Sequence, residues 1–583
     1  MSAPHASGPE TAPVSARDPI DGTAQPAQVS GWAPMSSAPF RRMWTAQFVS
    51  NIGSWMQTVA AQWVMISLTR SAVLIGAIAA AGSLPVLLLA VPAGALGDLI
   101  DRRRLIFGTQ VVMLAAATGL AVLAALSGLT PTLILALLFV IGCGSAASAP
   151  TWQTLQPELV PPAMRAEAIA LGSVNQNLAR AIGPAVGGVL LAATSAAVVF
   201  GANAVSFVAV LAAVAVTAVP ARQLAVPREH VLDAVRAGGR YVAFSPTLLA
   251  LIVRAAAFVL PAGAIWALLP LIARSKLGLG ATGYGLLLGC VGIGAFAAAT
   301  FGPAARRHLA PQVIYAAAAA AVALAAAVLA FSSSVYIDAA SLVVAGSAWI
   351  SGLGLLGAAY QSQMPSWVKA RGMAYYLIAF QGSSAVGGLG FGAIAQETSL
   401  AAAFLAISGC LGAGLIATWR LALPAGAPTD TQPGEPWPLP QLDPADEEED
   451  GPVMVTVRWS VQPAHADSFL ELATQLRRVR RRTGATSWRL YHEPGQANDY
   501  IEVFVVGSWA EHERQHARID PHDLETLDRL DATLKPGQPR DAAHYLAAHI
   551  RRTRLDRART GAADATPHPA RDASATDGAS GET

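Results

Sequence analysis

Apolar segments follow one another along the chain from residue 43 to residue 421. Each is about 20 residues or longer, the length that a helix needs to cross a bilayer. The pattern predicts an all-α membrane protein with twelve transmembrane helices, at residues 43–68, 72–97, 104–127, 131–153, 166–193, 196–219, 246–273, 282–304, 311–332, 336–360, 371–395 and 399–421. We expect Pro157, Pro161 and Pro162 to break the pattern between the fourth and fifth helices.

The predicted helices and the segments around them divide the chain into seven parts. We expect a disordered cytoplasmic tail at 1–39, a six-helix half at 40–219, a cytoplasmic linker at 220–245, a second six-helix half at 246–421, an acidic Pro-rich linker at 422–452, a soluble domain at 453–550 and a disordered tail at 551–583. The soluble domain shows strand and helix patterns in the order β-α-β-β-α-β, which predicts a cytoplasmic α+β domain with a ferredoxin-like fold. Within the cytoplasmic linker, residues 231–242 can form an amphipathic helix.

Two sequence echoes suggest that the membrane part is a repeat. Residues 94–103 are echoed by 302–307, and residues 160–171 by 367–377. Both echoes recur at an offset of roughly 200 residues. Two related six-helix halves are a transporter architecture, with the substrate site near the bilayer midplane between them.

Composition agrees with a membrane location. The chain has 583 residues, of which 53% are hydrophobic and only 13% are charged, whereas soluble chains carry about 25% charged residues. A net charge of +2 gives no indication of nucleic-acid binding. Cys143, Cys290 and Cys410 are far apart and lie in apolar runs, so no disulfide framework or metal cluster is predicted. We predict no catalytic residues and no cofactor.

The positions of basic residues predict the orientation in the membrane, since Lys and Arg concentrate in short cytoplasmic loops. Basic residues occur before the first helix, after the second, fourth, sixth, eighth and tenth helices, and are scarce in the alternate loops, which hold Arg70, Arg274 and Lys276. Both termini are therefore expected in the cytoplasm, which requires an even number of helices.

The loop between the second and third helices has the strongest chemical motif. It contains Gly94, Asp98, Asp101, Arg102 and Arg103. Small residues allow a tight turn between two helices, and the charged residues can pair with carboxylates or cap a neighbouring helix. Two interpretations are open, a gating role and a basic cytoplasmic loop without one.

Several polar residues lie at membrane depth and form a candidate substrate cavity, namely Asn51, Trp55, Gln62, Asn175, Arg180, Arg254 and Gln381. A charge at this depth is costly unless it faces a polar cavity or a partner. Arg180 therefore points to a cavity or a partner, although a side chain close enough to a helix end can instead reach the interface. For Arg254, about two turns from the cytoplasmic end of its helix, the two explanations are equally good. The amides can alternatively hydrogen-bond between helices.

The fifth predicted helix also carries four residues that favour close helix packing, Gly183, Pro184, Gly187 and Gly188. Acidic residues at membrane depth are scarce. Asp338 is the clearest, but it lies near the extracellular end of its helix, so the coupling ion is open. The chain lacks the G-x-x-x-x-G-K-[ST] pattern, which favours gradient energy over ATP.

The soluble domain contains two motifs that resemble known binding sites. His512, Glu513 and His516 match the H-E-x-x-H zinc pattern, but no third ligand is clear, and we predict no metal. The basic run at 477–482 could bind nucleic acid or anionic lipid. Its default interpretation is a solvated helix face, and we predict no nucleic-acid partner. The tail is expected to contact the cytoplasmic loops or to self-associate.

The chain resembles a bacterial branch of the major facilitator superfamily, the enterobactin-exporter-like proteins or transmembrane secretion effectors. The resemblance lies in residues 40–63, in the 94–103 loop, in the 183–188 segment, and in residues 481–488 and 508–516 of the tail. It covers most of 40–550. One departure is Leu99, where the superfamily usually has Arg, so Arg102 and Arg103 would have to supply the charge.

The resemblance implies a major facilitator fold, alternating access, a bacterial inner membrane location, and export of a hydrophobic or siderophore-like compound. The expected partners are a small-molecule substrate and the lipid bilayer. A second hypothesis is a membrane-anchored enzyme or sensor that acts through the ferredoxin-like tail. A third is a scaffold that transports nothing.

Overall fold

The computed structural model describes residues 30–99, 101–217, 231–365, 367–421, 423, 451–496 and 498–547. For residues 90–99 and 231–235, and for Pro303 and Ala370, only the backbone is described. The chain divides into two compact units. The first comprises the described residues of Met1–Pro227, Arg254–Leu355 and Leu377–Trp419, and the second those of Arg228–Val253, Leu356–Tyr376 and Arg420–Thr583.

Twelve long helices and one short helix precede the tail in the described part of the chain. They are α1 (Ala38–Leu68), α2 (Ala72–Leu99), α3 (Arg102–Ala125), α4 (Pro131–Glu158), α5 (Arg165–Ala193), α6 (Ala196–Val216), the short α7 (Val231–Ala243), α8 (Pro246–Leu271), α9 (Ala281–His308), α10 (Pro311–Phe331), α11 (Val335–Ser362), α12 (Lys369–Glu397) and α13 (Leu400–Thr418). Ten of the long helices are long and apolar enough to cross a membrane. Helices α1 and α5 are not among these ten.

One predicted break needs correction. Pro157 lies inside α4, which continues to Glu158 instead of ending near residue 153. Pro157 has no N–H to donate to the carbonyl four residues earlier, so α4 loses one hydrogen bond in its last turn and ends one residue later. Pro161 and Pro162 do lie in the junction, where a short turn at Pro162–Met164 precedes α5.

Small residues allow the helices of the first unit to approach closely. Helix α5 packs against α1 and against α9. A Cβ at Gly187 would lie 2.7 Å from the Met56 backbone in α1, and one at Gly188 would lie 2.7 Å from Gly285 in α9. Gly183 and Pro184 are buried as well. The four residues predicted for helix packing therefore lie between α5 and its two neighbours, where side chains would hold the backbones apart.

The second unit contains the tail, in which strands and helices alternate. The elements are β1 (Val453–Ser460), α14 (Ala466–Thr483), β2 (Ser487–His492), β3 (Asp499–Val506), α15 (Trp509–Ala517), α16 (Pro521–Asp531) and β4 (Asp541–Leu546). The strands form an antiparallel sheet in the order β2-β3-β1-β4. Alternate residues of β1 are buried, including Val455, Val457 and Trp459, and they pack with Phe469 of α14. Helix α7 belongs to the same unit and packs against α14.

Candidate functional site

Helices α1 and α5 share a seam of amide side chains. Asn51 Nδ2 donates to Asn175 Oδ1 at 2.8 Å, and Gln47 Nε2 donates to Asn51 Oδ1 at 3.0 Å. Asn175 Nδ2 donates in turn to the Trp44 carbonyl oxygen at 2.9 Å. Asn51 and Asn175 thus join the two helices, as the alternative interpretation of these residues expected.

Two further amides on α1 bond to other helices. Asn203 Nδ2 of α6 donates to Gln57 Oε1 at 2.7 Å, and both side chains are buried. The Tyr284 hydroxyl of α9 donates to Gln62 Oε1. The Tyr284 ring stacks on Trp63, with centroids 6.1 Å apart. Gln62 therefore links α1 to α9, while Asn203 and Tyr284 are partners that were not predicted from the sequence.

Arg180 differs from these residues because no described residue forms a hydrogen bond with it. It lies near the middle of the 29-residue helix α5 and is half-buried. Its guanidinium carbon lies 5.4 Å from the centroid of the Trp55 ring. The Arg180 Nε atom is buried and has no hydrogen-bond partner among the described residues. Arg180 and Trp55, both predicted for the cavity, are thus in contact, and within the described part of the chain nothing accepts a hydrogen bond from Arg180.

Arg254 has a different environment. It is fully buried in α8, and its guanidinium donates to Gln312 Oε1 and to the Thr418 carbonyl oxygen, each at 2.8 Å. Thr418 is the last residue of α13, whose terminal carbonyls lack partners within the helix. A cation is favourable at this negative end of the helix dipole. These contacts favour a structural role for Arg254, as a cap of α13, over the predicted role in a cavity.

Other cations of the first unit cap helices in the same way. Arg274 donates to the Ile66 carbonyl at 2.6 Å, near the end of α1, and Lys276 to the Leu329 carbonyl at 2.6 Å, near the end of α10. Such contacts satisfy terminal carbonyls that would otherwise lack a donor.

The loop between α2 and α3 is tied to two helix ends. Asp101 caps α3 by accepting from the Arg104 N–H at 3.0 Å. Buried Arg102 forms an ion pair with Glu158 at 2.5 Å, at the end of α4, and Arg103 donates to the Ala215 carbonyl at 2.5 Å, near the end of α6. Glu158 was not predicted from the sequence, although an acidic residue at a helix end was the available signal. For Gly94 and Asp98, which lie in α2, only the backbone is described.

A cluster of aromatic side chains lies in the first unit and was also missed. Trp349 of α11 contacts three rings, with centroids 5.7 Å from Trp266, 5.9 Å from Phe258 and 6.1 Å from Phe380. Trp266, Trp349 and Phe380 are half-buried. Gln381, predicted for the cavity, follows Phe380 in α12 and is half-buried too. The cluster joins α8, α11 and α12 through apolar surface.

In the tail, the H-E-x-x-H segment forms part of the core. The His512 ring lies 4.6 Å from that of His516 and 5.0 Å from that of His544. Burial lowers the pKa of His512 to about 4 and that of His516 to about 3, so both are neutral near pH 7. Glu513 accepts from Trp509 Nε1 at 3.1 Å. In the described part of the chain, no group of three His, Cys, Asp or Glu side chains is arranged to hold a metal ion.

Basic residues of the tail contact α7 and the segment before α12, all within the second unit. The Arg518 guanidinium lies 4.4 Å from the Trp367 ring and donates to Glu511 at 2.6 Å. Glu511 is also 3.5 Å from Arg240 of α7. Burial disfavours ionisation of Glu511, but the hydrogen bond and charge of Arg518 outweigh it and hold its pKa below the usual range. The basic run at 477–482 also contacts α7, through Arg482, so its end is not a freely solvated face.

Arg482, in that run, faces Tyr241 of α7. Its guanidinium carbon lies 5.4 Å from the Tyr241 ring, and it pairs with Asp523 and, at 3.6 Å, with Asp520. Burial raises the pKa of Tyr241 to about 12, and the nearby Arg482 opposes that shift. Cation–π contacts of this kind bind more strongly when the cation is removed from water.

Comparisons with known proteins place these features in context. A family model described as transmembrane secretion effector matches residues 29–553. The staphyloferrin A transporter of Staphylococcus aureus is 30% identical over 169 residues, which are 29% of this chain and 43% of that protein. Macrolide efflux protein A of Streptococcus pyogenes is 26% identical over 175 residues, 30% of this chain and 42% of that protein. The matched region spans less than half the length of either relative.

Solved structures share the fold at low sequence identity. A mutant of the nucleoside transporter NupG is 13% identical, with a TM-score of 0.52 over 66% of this chain and 99% of that one. The POT family transporter PepTSo is 12% identical, with a TM-score of 0.53 over 66% of this chain and 97% of that one. Similarity at this level of identity establishes the fold alone.

Proposed function

This chain belongs to the transmembrane secretion effector family, and on that premise we propose that it is a secondary active transporter that exports a small hydrophobic or siderophore-like compound by alternating access. The relatives named for staphyloferrin A transport and macrolide efflux support this class of substrate. The same premise favours a transporter over an enzyme. The energy source is then an ion gradient.

One structural observation carries the proposal. Helix α5 of the first six helices packs through Gly188 against Gly285 of α9, one of the last six, while its polar residues face α1. A glycine-lined contact between the two sets of six allows one to rock against the other, and polar groups beside that contact suit a substrate path.

The remaining parts of the proposal concern topology. We take all twelve long helices to cross the inner membrane of a bacterium, in two six-helix halves, with both termini in the cytoplasm. The order of elements and strands in the tail supports a ferredoxin-like fold. The tail is then an accessory cytoplasmic domain.

The test is transport by the purified full-length protein in proteoliposomes, with and without a pH gradient. The probes are staphyloferrin A, a macrolide antibiotic and a neutral hydrophobic dye. We expect gradient-driven movement of at least one probe. Gly188→Leu should abolish it, because a side chain there would collide with Gly285, whereas Gly201→Leu, with open space around the glycine, should not. If no probe moves under either condition, the proposal fails.

A further inference from the structure

We propose that Arg180 binds an acidic group of the transported molecule, so that the substrate is an amphiphile with a carboxylate next to an apolar or aromatic part. This inference rests on the proposed transport function and specifies its substrate class. Its binding surface is the Arg180 guanidinium together with the Trp55 ring.

The position of Arg180 argues against a role at the membrane surface. It lies near the middle of α5, and the next residue, Ala181, is where a Cβ at Gly292 of α9 would collide. Gly183, three residues after Arg180, lies against Trp55 of α1. Arg180 is therefore at the level where α5 contacts both α1 and α9, between the two sets of six helices, and a transporter of this architecture holds its substrate at such a level.

Other cations of the first unit show what an arginine or lysine does when its role is structural. Arg102 has a carboxylate partner in Glu158, and Arg254 and Arg274 donate to carbonyls near helix ends. Arg180 has neither kind of partner among the described residues, although it is half-buried. A charge in such a place is costly unless another group compensates it.

The chemistry of the pair indicates which group that is. A guanidinium has five N–H donors in a planar fork, and an aromatic ring covers only its face. The edge of the Arg180 fork thus keeps donors that match the two oxygens of a carboxylate. The Trp55 ring offers apolar surface beside them, so an acid with an adjoining aromatic or aliphatic part satisfies both residues.

Binding to the full-length protein in nanodiscs tests this without requiring transport. The probes are 2-naphthoate and decanoate, each compared with its neutral amide, and the readout is the ligand-induced shift in thermal unfolding. We expect wild type to bind each acid about tenfold or more tightly than its amide. Arg180→Gln should remove the preference, and Arg180→Lys should keep part of it, since the charge remains but the fork is lost. The exposed Arg104→Gln is the control and should leave the preference intact.

Equal affinity of wild type for acid and amide, or no binding of either pair, overturns the inference, as does an unchanged preference in Arg180→Gln. If Arg180→Gln fails to fold, the wild-type preference and the Arg180→Lys variant still decide. The transport assay with Gly188→Leu is independent of these measurements. A transporter that moves only neutral probes would therefore refute the inference and leave the proposed function standing.

Discussion

Acidification should destabilise the tail, because histidines are buried in its core in the neutral form. Burial lowers the pKa of His512 to about 4 and that of His516 to about 3, and it also lowers the pKa of His544. In the unfolded chain the pKa of histidine is about 6.5. The unfolded tail binds more protons than the folded tail between these values, so the stabilisation is complete above about pH 6.5 and is lost as the pH falls.

The size of the stability loss follows from the pKa values of His512 and His516. At about pH 5 the unfolded pKa is about 1.5 units above the pH, and one unit is worth about 1.4 kcal/mol. His512 and His516, which are 0% and 3% exposed, therefore each contribute a loss of about 2 kcal/mol, and together about 4 kcal/mol. Because domains of this size are stable by about 5–15 kcal/mol, this loss is a large fraction of the total.

Hydrogen exchange of the full-length protein in nanodiscs measures the loss, after correction for the pH dependence of intrinsic exchange. Peptides from α15 and β4 should lose protection between about pH 7 and about pH 5, while peptides from α10 should not. His516→Gln should flatten the pH dependence, since one titrating group is gone. The exposed His465→Gln should not change it. Equal protection at both pH values, or an unaltered slope in His516→Gln, would refute the reasoning.

Three further predictions concern contacts elsewhere. Arg254→Met removes donors to Gln312 and to the end of α13, so the free energy of unfolding should fall by about 3 kcal/mol. The thermal midpoint in detergent should fall with it, and an unchanged midpoint would contradict the capping role. Arg102→Glu should reduce transport in proteoliposomes, and the added change Glu158→Arg should restore part of it. The coupling free energy between the two positions should be about 1–2 kcal/mol, and no rescue would mean that this ion pair does not contribute to transport. Trp367→Ala removes the ring that contacts both Arg518 and Tyr241 of α7, so amides of α7 should exchange about tenfold faster. Unchanged exchange would show that these contacts do not stabilise α7.

The positions of the long helices could be predicted from the sequence, because hydropathy is a local property, and the family could be predicted from short sequence motifs. The family resemblance is confirmed by the match over residues 29–553. Helix ends were less accurate. The fourth helix was predicted at 131–153 but extends to Glu158, since a helix continues beyond the apolar core into the polar interface, where hydropathy no longer marks it.

The roles of the polar residues could not be predicted, because their partners are distant in the sequence. Gln57 and Asn203 are 146 residues apart, Arg254 and Thr418 164, and Gln62 and Tyr284 222. A single sequence shows that a polar side chain lies at membrane depth, but not whether another helix brings a donor or acceptor to it. Arg180 and Arg254 therefore looked alike in the sequence and have different surroundings in the structure.

The low hydropathy of α1 and α5 follows from these surroundings. Asn51 of α1 bonds to Asn175 of α5, so each helix supplies the partner that the other needs. None of residues 50–66 of α1 is exposed, and a helix enclosed by protein does not have to be apolar. On α5, the exposed positions include Ile182, Val186 and Val189, spaced as one face of a helix. An apolar outer face with a polar inner face is what a membrane helix beside a substrate path requires, and a hydropathy average over the whole helix hides that division.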